Sequence, residues 1–232
     1  MNFEQVGLMG IGGYFSEDTS FSQFRPRKII PDRKSIKLMT RSVQLGVAAA
    51  AVTLAQTEAW KKVPPHRRGV FVSASPAING QEDLRAAIMA SVENGAFSFS
   101  IFGEKGRSLI HPLWLVRGLS NNILGFVSSI WDFQGENMNY CQGPKGGFHA
   151  LQQACFAIQE GRLDVALVGA ADSVLNAEGI IDKPCAEGGV FLVISRAESQ
   201  LSINESQIEA LYQQLPYVGA ASWLIAFWKS IS

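Results

Sequence analysis

The sequence predicts an α/β protein, a mostly parallel five-stranded sheet flanked by helices. Apolar runs that read as fully buried strands recur at Val6 to Ile11 (VGLMGI), Gly69 to Ser73 (GVFVS) and Val165 to Ala170 (VALVGA), with a fourth of the same character at Gly189 to Ser195 (GVFLVIS), each short and ended by small or turn-forming residues. Between the first two lies an alanine-rich stretch with helical spacing of its apolar positions. A second helical stretch, GGFHALQQACFAIQE, runs directly into RLDVALVGA, and this strand, helix, strand rhythm is that of a crossover unit with helices covering both sheet faces.

Taken in order, MNFEQVGLMGIGG carries an acid and lacks a basic leader region, so it reads as a first strand rather than a secretory signal. Gly10, Gly12 and Gly13 invite a dinucleotide reading, but the third glycine of GxGxxG falls on Phe15. The basic stretch Arg25 to Arg41 contains Arg25, Arg27, Lys28, Arg33 and Lys34. It reads either as a solvated loop and helix start or as a landing patch for an acidic partner. A long helix is expected over Lys34 to Trp60, and a second over Gly146 to Glu160, closed by Gly161 at the C-cap. YVGAASWLIAFW, Tyr217 to Trp228, is too short to span a bilayer and is expected to pack on something.

Composition narrows the partners. A formal net charge of zero and 17% charged residues argue against a nucleic-acid binder, whose affinity rests on neutralising phosphates. Cys141, Cys155 and Cys185 form no CxxC or Cys/His ligand spacing, so reduced thiols in the cytosol are expected, with neither a disulfide framework nor a zinc site. GPKGG, Gly143 to Gly147, lacks the GxxxxGK[ST] order of a phosphate-wrapping loop. His66, His111 and His149 are the only histidines, and His149 sits about two turns along the second helix, awkward for meeting Cys141.

Several motifs then fall into one order. They are Asn121 and Gly125 in NNILG, Gly135 in GENMNY, Ala150 and Leu151, GRLDVALVGAAD from Gly161 to Asp172, and PCAEGGVFLVISRAES with Glu187 and Gly188. With RKSIKLMTRSVQLGVAAA as a first helix, the stretch from about residue 3 to 198 resembles the N-terminal half of the β-ketoacyl-ACP synthases, which have the thiolase fold. The resemblance implies a half-thiolase domain over residues 1–198 and an apolar helical tail over 199–232, packing on the domain or on a partner.

The same alignment places the family's nucleophilic cysteine on Pro144, with Gln142 and Gly143 at the preceding Thr-Ala, while Cys141 falls three residues early. Proline carries no nucleophile and no N–H. The histidine pair of the family's second half has no counterpart after Ser195. Ketosynthase-like chains without the nucleophile are chain-length factors, so the resemblance implies a non-catalytic subunit that heterodimerises with a full-length ketosynthase. Its partner class is that of type II polyketide synthases, most like those making aryl polyene pigments, with acyl carrier protein as an indirect partner and no cofactor.

By the same resemblance, Glu136, Asn137, Met138, Asn139 and Tyr140 form the dimer-interface edge strand, unless the chain's own tail covers it. Trp114 and Leu115 in HPLWLVRGLSNN fall at a tunnel gate, although Trp114 also suits a core position. Arg25, Arg27, Lys28, Arg33 and Lys34 are the candidate carrier-protein patch. Two alternatives stand beside this: a Cys141-dependent acyl-thioester hydrolase or acyltransferase, and a self-associating scaffold that binds an acidic carrier protein.

Overall fold

The computed structural model describes residues 2–75, 81–198 and 200–231. The chain opens with β1 (Asn2–Phe3) and the long strand β2 (Val6–Phe15), then passes α1 (Pro26–Ile29) into α2 (Arg41–Leu54) and β3 (Arg68–Ser73). An excursion follows: α3 (Gln81–Met89), the hairpin β4 (Val92–Glu93) and β5 (Ala96–Phe97), α4 (Phe99–Glu104) and α5 (Trp114–Gly118). Next come α6 (Asn122–Trp131), β6 (Asn137–Tyr140), α7 (Gly146–Gln159), β7 (Val165–Ser173) and β8 (Glu187–Arg196). The C-terminal segment holds β9 (Leu201–Ser202), α8 (Glu205–Gln214) and α9 (Ser222–Ile231).

The five-stranded sheet runs β2-β8-β7-β3-β6. β3 is parallel to both β7 and β6, and β8 is antiparallel to both β7 and β2, so four of the five strands run one way, as expected of a mostly parallel sheet, and β8 alone is reversed. The reason lies in the connections, since β7 returns into β8 through 174–186 without the crossover helix that a parallel neighbour needs.

Alternation along the strands builds two cores, one on each face. Val70 and Val72 of β3 and Leu167 of β7 face the layer of α2 and α6, whereas Phe71, Ala166 and Val168 face the layer of α7 and α9. Strands buried on both faces explain why their sequences read as unbroken apolar runs. The first run is the exception: Val6 to Ile11 was expected to be fully buried, yet β2 continues to Phe15 as an outer strand and leaves Leu8 38% exposed.

The long helix expected over Lys34 to Trp60 is also shorter, confined to Arg41–Leu54. Before it, the Asp32 carboxylate accepts from the backbone N–H groups of Lys34 and Ser35 at 3.1 and 3.3 Å, a local bond that competes with helix. After it, the Trp60 indole N–H donates to the Leu54 carbonyl at 3.3 Å and turns the chain back across the helix end. α7 matches its expectation, with Gly161 in the left-handed region (φ 72°) just past it. The Arg196 guanidinium donates to the Ile158 carbonyl at 2.8 Å, satisfying one of the helix's last acceptors.

The C-terminal segment is built into this body. β9 pairs with β1, Tyr217 exchanges backbone bonds with Pro184 and Ala186, and Trp223, Leu224, Ile225 and Phe227 of α9 are buried in the core beside α7. Among the described residues no helix is long and apolar enough to cross a membrane.

Candidate functional site

The loop 141–145 links the end of β6 to the start of α7, at the carboxyl ends of the parallel strands, where open α/β sheets place their ligands. Tyr140 pairs with Ser73, so α7 starts directly over the end of β3. A Cβ on Gly146 would collide with the Ser73 hydroxyl, and glycine is what lets the helix approach this closely. The Ser73 Oγ is buried and has no hydrogen-bond partner among the described residues.

Gly143 takes the left-handed region (φ 62°), and Gly143–Lys145 form one tight turn that delivers the chain into α7. Pro144 stands in that turn. Its fixed φ suits a helix entry, but it offers neither a nucleophilic side chain nor an N–H to an oxyanion. Cys141 lies before the turn, exposed, and its Sγ accepts a hydrogen bond from Asn139 Nδ2 at 3.4 Å. The His149 Nδ1 is engaged by the Gln142 amide oxygen, and His111 Nδ1 accepts from the Leu113 N–H at 3.1 Å. Among the described residues no histidine is paired with Cys141.

The C-terminal segment closes in on the start of α7. A Cβ on Gly147 would lie 2.6 Å from Leu224 Cγ, and the Phe148 ring meets Trp223 edge-on at 5.1 Å. Behind the loop sits a buried polar network that sequence reasoning missed. Asp172, 4% exposed, accepts from Ser42 Oγ (3.3 Å), the Ser173 N–H (2.9 Å) and, at its other oxygen, the Ala220 N–H (3.0 Å). Burial pushes its carboxyl above the usual range, against the opposing pull of these hydrogen bonds and of one from Ser75.

Next to it, buried Glu187 takes a two-pronged bond from Arg41, one prong at 2.9 Å, and a 2.9 Å bond from Ser173 Oγ. The Arg41 guanidinium also lies over the Phe21 and Phe24 rings. The available signals were the single acids Asp172 and Glu187 set in small apolar surroundings, since such groups stay buried only when hydrogen-bonded.

The other candidates fall on two surfaces. β6 is the outer strand at the other edge of the sheet from β2, spanning Asn137–Tyr140, with Glu136 just before it and held by Arg162. The C-terminal segment packs on α7 and the strands beyond it and leaves the outer edge of β6 uncovered among the described residues. Trp114 begins α5 half-buried and outside both buried cores, while Leu115 beside it is 67% exposed. Nine of the fifteen exposed large apolar side chains among the described residues lie between Ile88 and Leu119, Phe99 the barest at 84%. Asn139 Nδ2 of β6 lies 3.5 Å from Ser120 Oγ, just past the end of this excursion.

The basic stretch divides. Arg27, Arg33, Lys34 and Lys37 line a groove of about 800 Å³ with Ile36, Met39, Gln44 and Arg117, the last from α5 and not foreseen. Arg25 and Lys28 lie outside that lining, Arg25 because its guanidinium is bound to the carbonyls of Ser22 and Phe24 at 2.9 Å each.

Comparison with known proteins bears on this arrangement. A solved type II polyketide synthase acyl carrier protein in complex with its ketosynthase, bound to the hexaketide, superposes with a TM-score of 0.68 at 15% identity, over 90% of this chain and 73% of that one. A β-ketoacyl synthase from Burkholderia phymatum gives 0.58 at 18% identity, over 84% and 60%. The ishigamide ketosynthase/chain length factor gives 0.58 at 15%, over 84% and 63%. In sequence, 71 residues are 35% identical to a highly reducing polyketide synthase of Sordaria araneosa, covering 30% of this chain and spanning 2% of that protein's length. The fold shared with these structures is thiolase-like, and the family model "Beta-ketoacyl synthase, N-terminal domain" matches residues 14–183, so the chain belongs to that family.

Proposed function

We propose that this chain is a non-catalytic chain-length factor. It heterodimerises with a full-length β-ketoacyl synthase, stabilises it and bounds its acyl tunnel in type II polyketide biosynthesis, of the aryl polyene kind, in the cytoplasm. The observation that carries the reading is Pro144 in the turn entering α7. At such a helix start the dipole and free N–H groups would stabilise a thiolate and then a thioester oxyanion. Proline supplies neither thiol nor donor there, while the fold around it is kept.

The partnership is supported by the open β6 edge, whose outer backbone groups suit strand addition, and by the exposed apolar side chains between Ile88 and Leu119. On this reading Leu115, exposed beside the half-buried Trp114, is the gate side chain that reaches the partner's tunnel. The groove of Arg27, Arg33, Lys34, Lys37 and Arg117 supports charge-steered docking of an acidic carrier protein. Two structural neighbours, a ketosynthase with its carrier protein and a ketosynthase/chain length factor, favour the same partners.

The test is co-expression with a full-length ketosynthase with only this chain tagged, followed by intact mass and product profiling. A retained ketosynthase, with products that lengthen or scatter in Leu115→Ala or Trp114→Ala, is the expected outcome. Recovery of this chain without the ketosynthase defeats the reading. A Cys141-dependent thioesterase or acyltransferase is the second reading, favoured by the exposed Sγ and its amide donor Asn139. It requires labelling of Cys141 by an acyl-thioester probe and loss of turnover in Cys141→Ser.

A further inference from the structure

We propose that Gln56 closes the β2 edge of the sheet to strand addition, which leaves β6 as the sheet's one docking edge among the described residues and keeps copies of the chain from assembling without end. β2 and β6 are the two outer strands, and β2 is the longer, ten residues against four. An edge strand exposes a row of backbone donors and acceptors, and a glycine-rich one holds its register weakly. Both backbone groups of Ile11, near the middle of β2, go to Gln56 and not to β8. The Ile11 N–H donates to Gln56 Oε1 at 3.1 Å, and Gln56 Nε2 donates to the Ile11 carbonyl at 2.8 Å. One carboxamide thus makes the pair of bonds that a residue of an added strand would make. A strand arriving along β2 has to break both.

The local sequence builds the slot for this contact. A Cβ on Gly10 would lie 2.9 Å from Gln56 Oε1, and one on Gly12 2.8 Å from Nε2, so the two glycines let the carboxamide lie against the strand. Gln56 stands just past the end of α2, its N–H on the Thr53 carbonyl at 3.1 Å. The Thr53 Oγ lies 3.1 Å from the carbonyls of Gly12 and Phe191, which holds that helix end over the β2–β8 pair. The glycines that fail as a dinucleotide fingerprint serve to seat this side chain. With one open edge, two copies pair and stop at a dimer. With open edges on opposite sides, copies join head to tail and the assembly does not close.

The test is sedimentation of the full chain alone, under reducing conditions, over a range of concentrations, so it does not depend on any ketosynthase. The parent is expected to stay at or below a dimer, and Gln56→Ala to grow past a dimer as concentration rises. Gly10→Ala, whose methyl displaces the carboxamide while Gln56 is kept, is expected to grow in the same way. Adding Met138→Lys to Gln56→Ala charges the β6 edge and is expected to return the assembly to a dimer or smaller. Growth that survives this second substitution is unspecific aggregation and overturns the proposal. A parent that itself grows past a dimer overturns it too, as does either single variant that stays at or below one. Amide exchange at low concentration gives an independent reading. The Ile11 N–H should exchange roughly tenfold slower in the parent than in Gln56→Ala, and equal rates overturn the proposal.

Discussion

The three thiols sit in three environments, and their reactivity should separate accordingly. Cys155 is wholly buried on α7, and burial pushes its thiol up to about 12, so it holds almost no thiolate at neutral pH. Cys185 is half-buried, and burial together with the nearby Glu178 raises it as well. Timed alkylation read by peptide mass spectrometry should therefore label Cys141 first and Cys155 only after unfolding. Labelling of Cys155 in the folded chain would contradict the packing of α7. Gly147 gives the second test at this scale. Its missing Cβ admits Leu224, so Gly147→Ala forces the two helices apart, with an expected loss of about 1–3 kcal/mol in urea unfolding.

At the scale of elements, α9 is as much a part of the core as any strand. Leu224→Ala should cost about 2–5 kcal/mol, measured by denaturation, since the side chain is fully buried between α7 and the sheet. β6 behaves oppositely: Met138, 42% exposed on the outer strand, can accept a charge with little effect on the isolated chain. Met138→Lys should leave the unfolding free energy within about 0.5 kcal/mol while, under the proposed function, weakening ketosynthase retention in the tagged co-expression. The elements also differ in how legible they were. β3, β7 and β8 are announced by unbroken apolar runs, and α7 by its period and closing glycine, because burial on both faces and helix capping are local in sequence. The direction of β8 is not local, since it depends on whether a connection crosses the sheet, while the true ends of α2 are set by short-range bonds of the Asp32 and Trp60 side chains to the backbone, which the apolar period does not register.

For the whole molecule, two carboxylates give stability opposite slopes with pH. Asp164 is held below the usual range by the Arg67 guanidinium, so its contribution is present above its unfolded value and lost as pH falls through the folded one. Asp172 is raised by burial, so its contribution is full below its unfolded value and lost as pH rises through the folded one. The urea midpoint should decline on both sides. In Asp172→Asn the decline on the rising side should flatten, on a baseline lowered by about 1–3 kcal/mol because the amide would face the Ala220 N–H. The site shows the same division between local and assembled features. Pro144 could be placed by register along the sequence, whereas the buried network joins α2, β7, β8 and the 219–221 turn, parts brought together only by the fold. The basic groove is intermediate, with four of its cations in one stretch and Arg117 arriving from α5.

The open edge of β6 bears on how the chain must be supplied. A strand that accepts a neighbour does not choose which one by its backbone alone, and another copy of the same chain offers the same groups. If the proposed heterodimer forms, surplus synthesis over the ketosynthase would feed self-pairing, aggregation and proteolytic clearance rather than a reserve of free subunit. Expression matched to the partner, with the two chains made close together in time, is the arrangement under which such a sheet stays in solution.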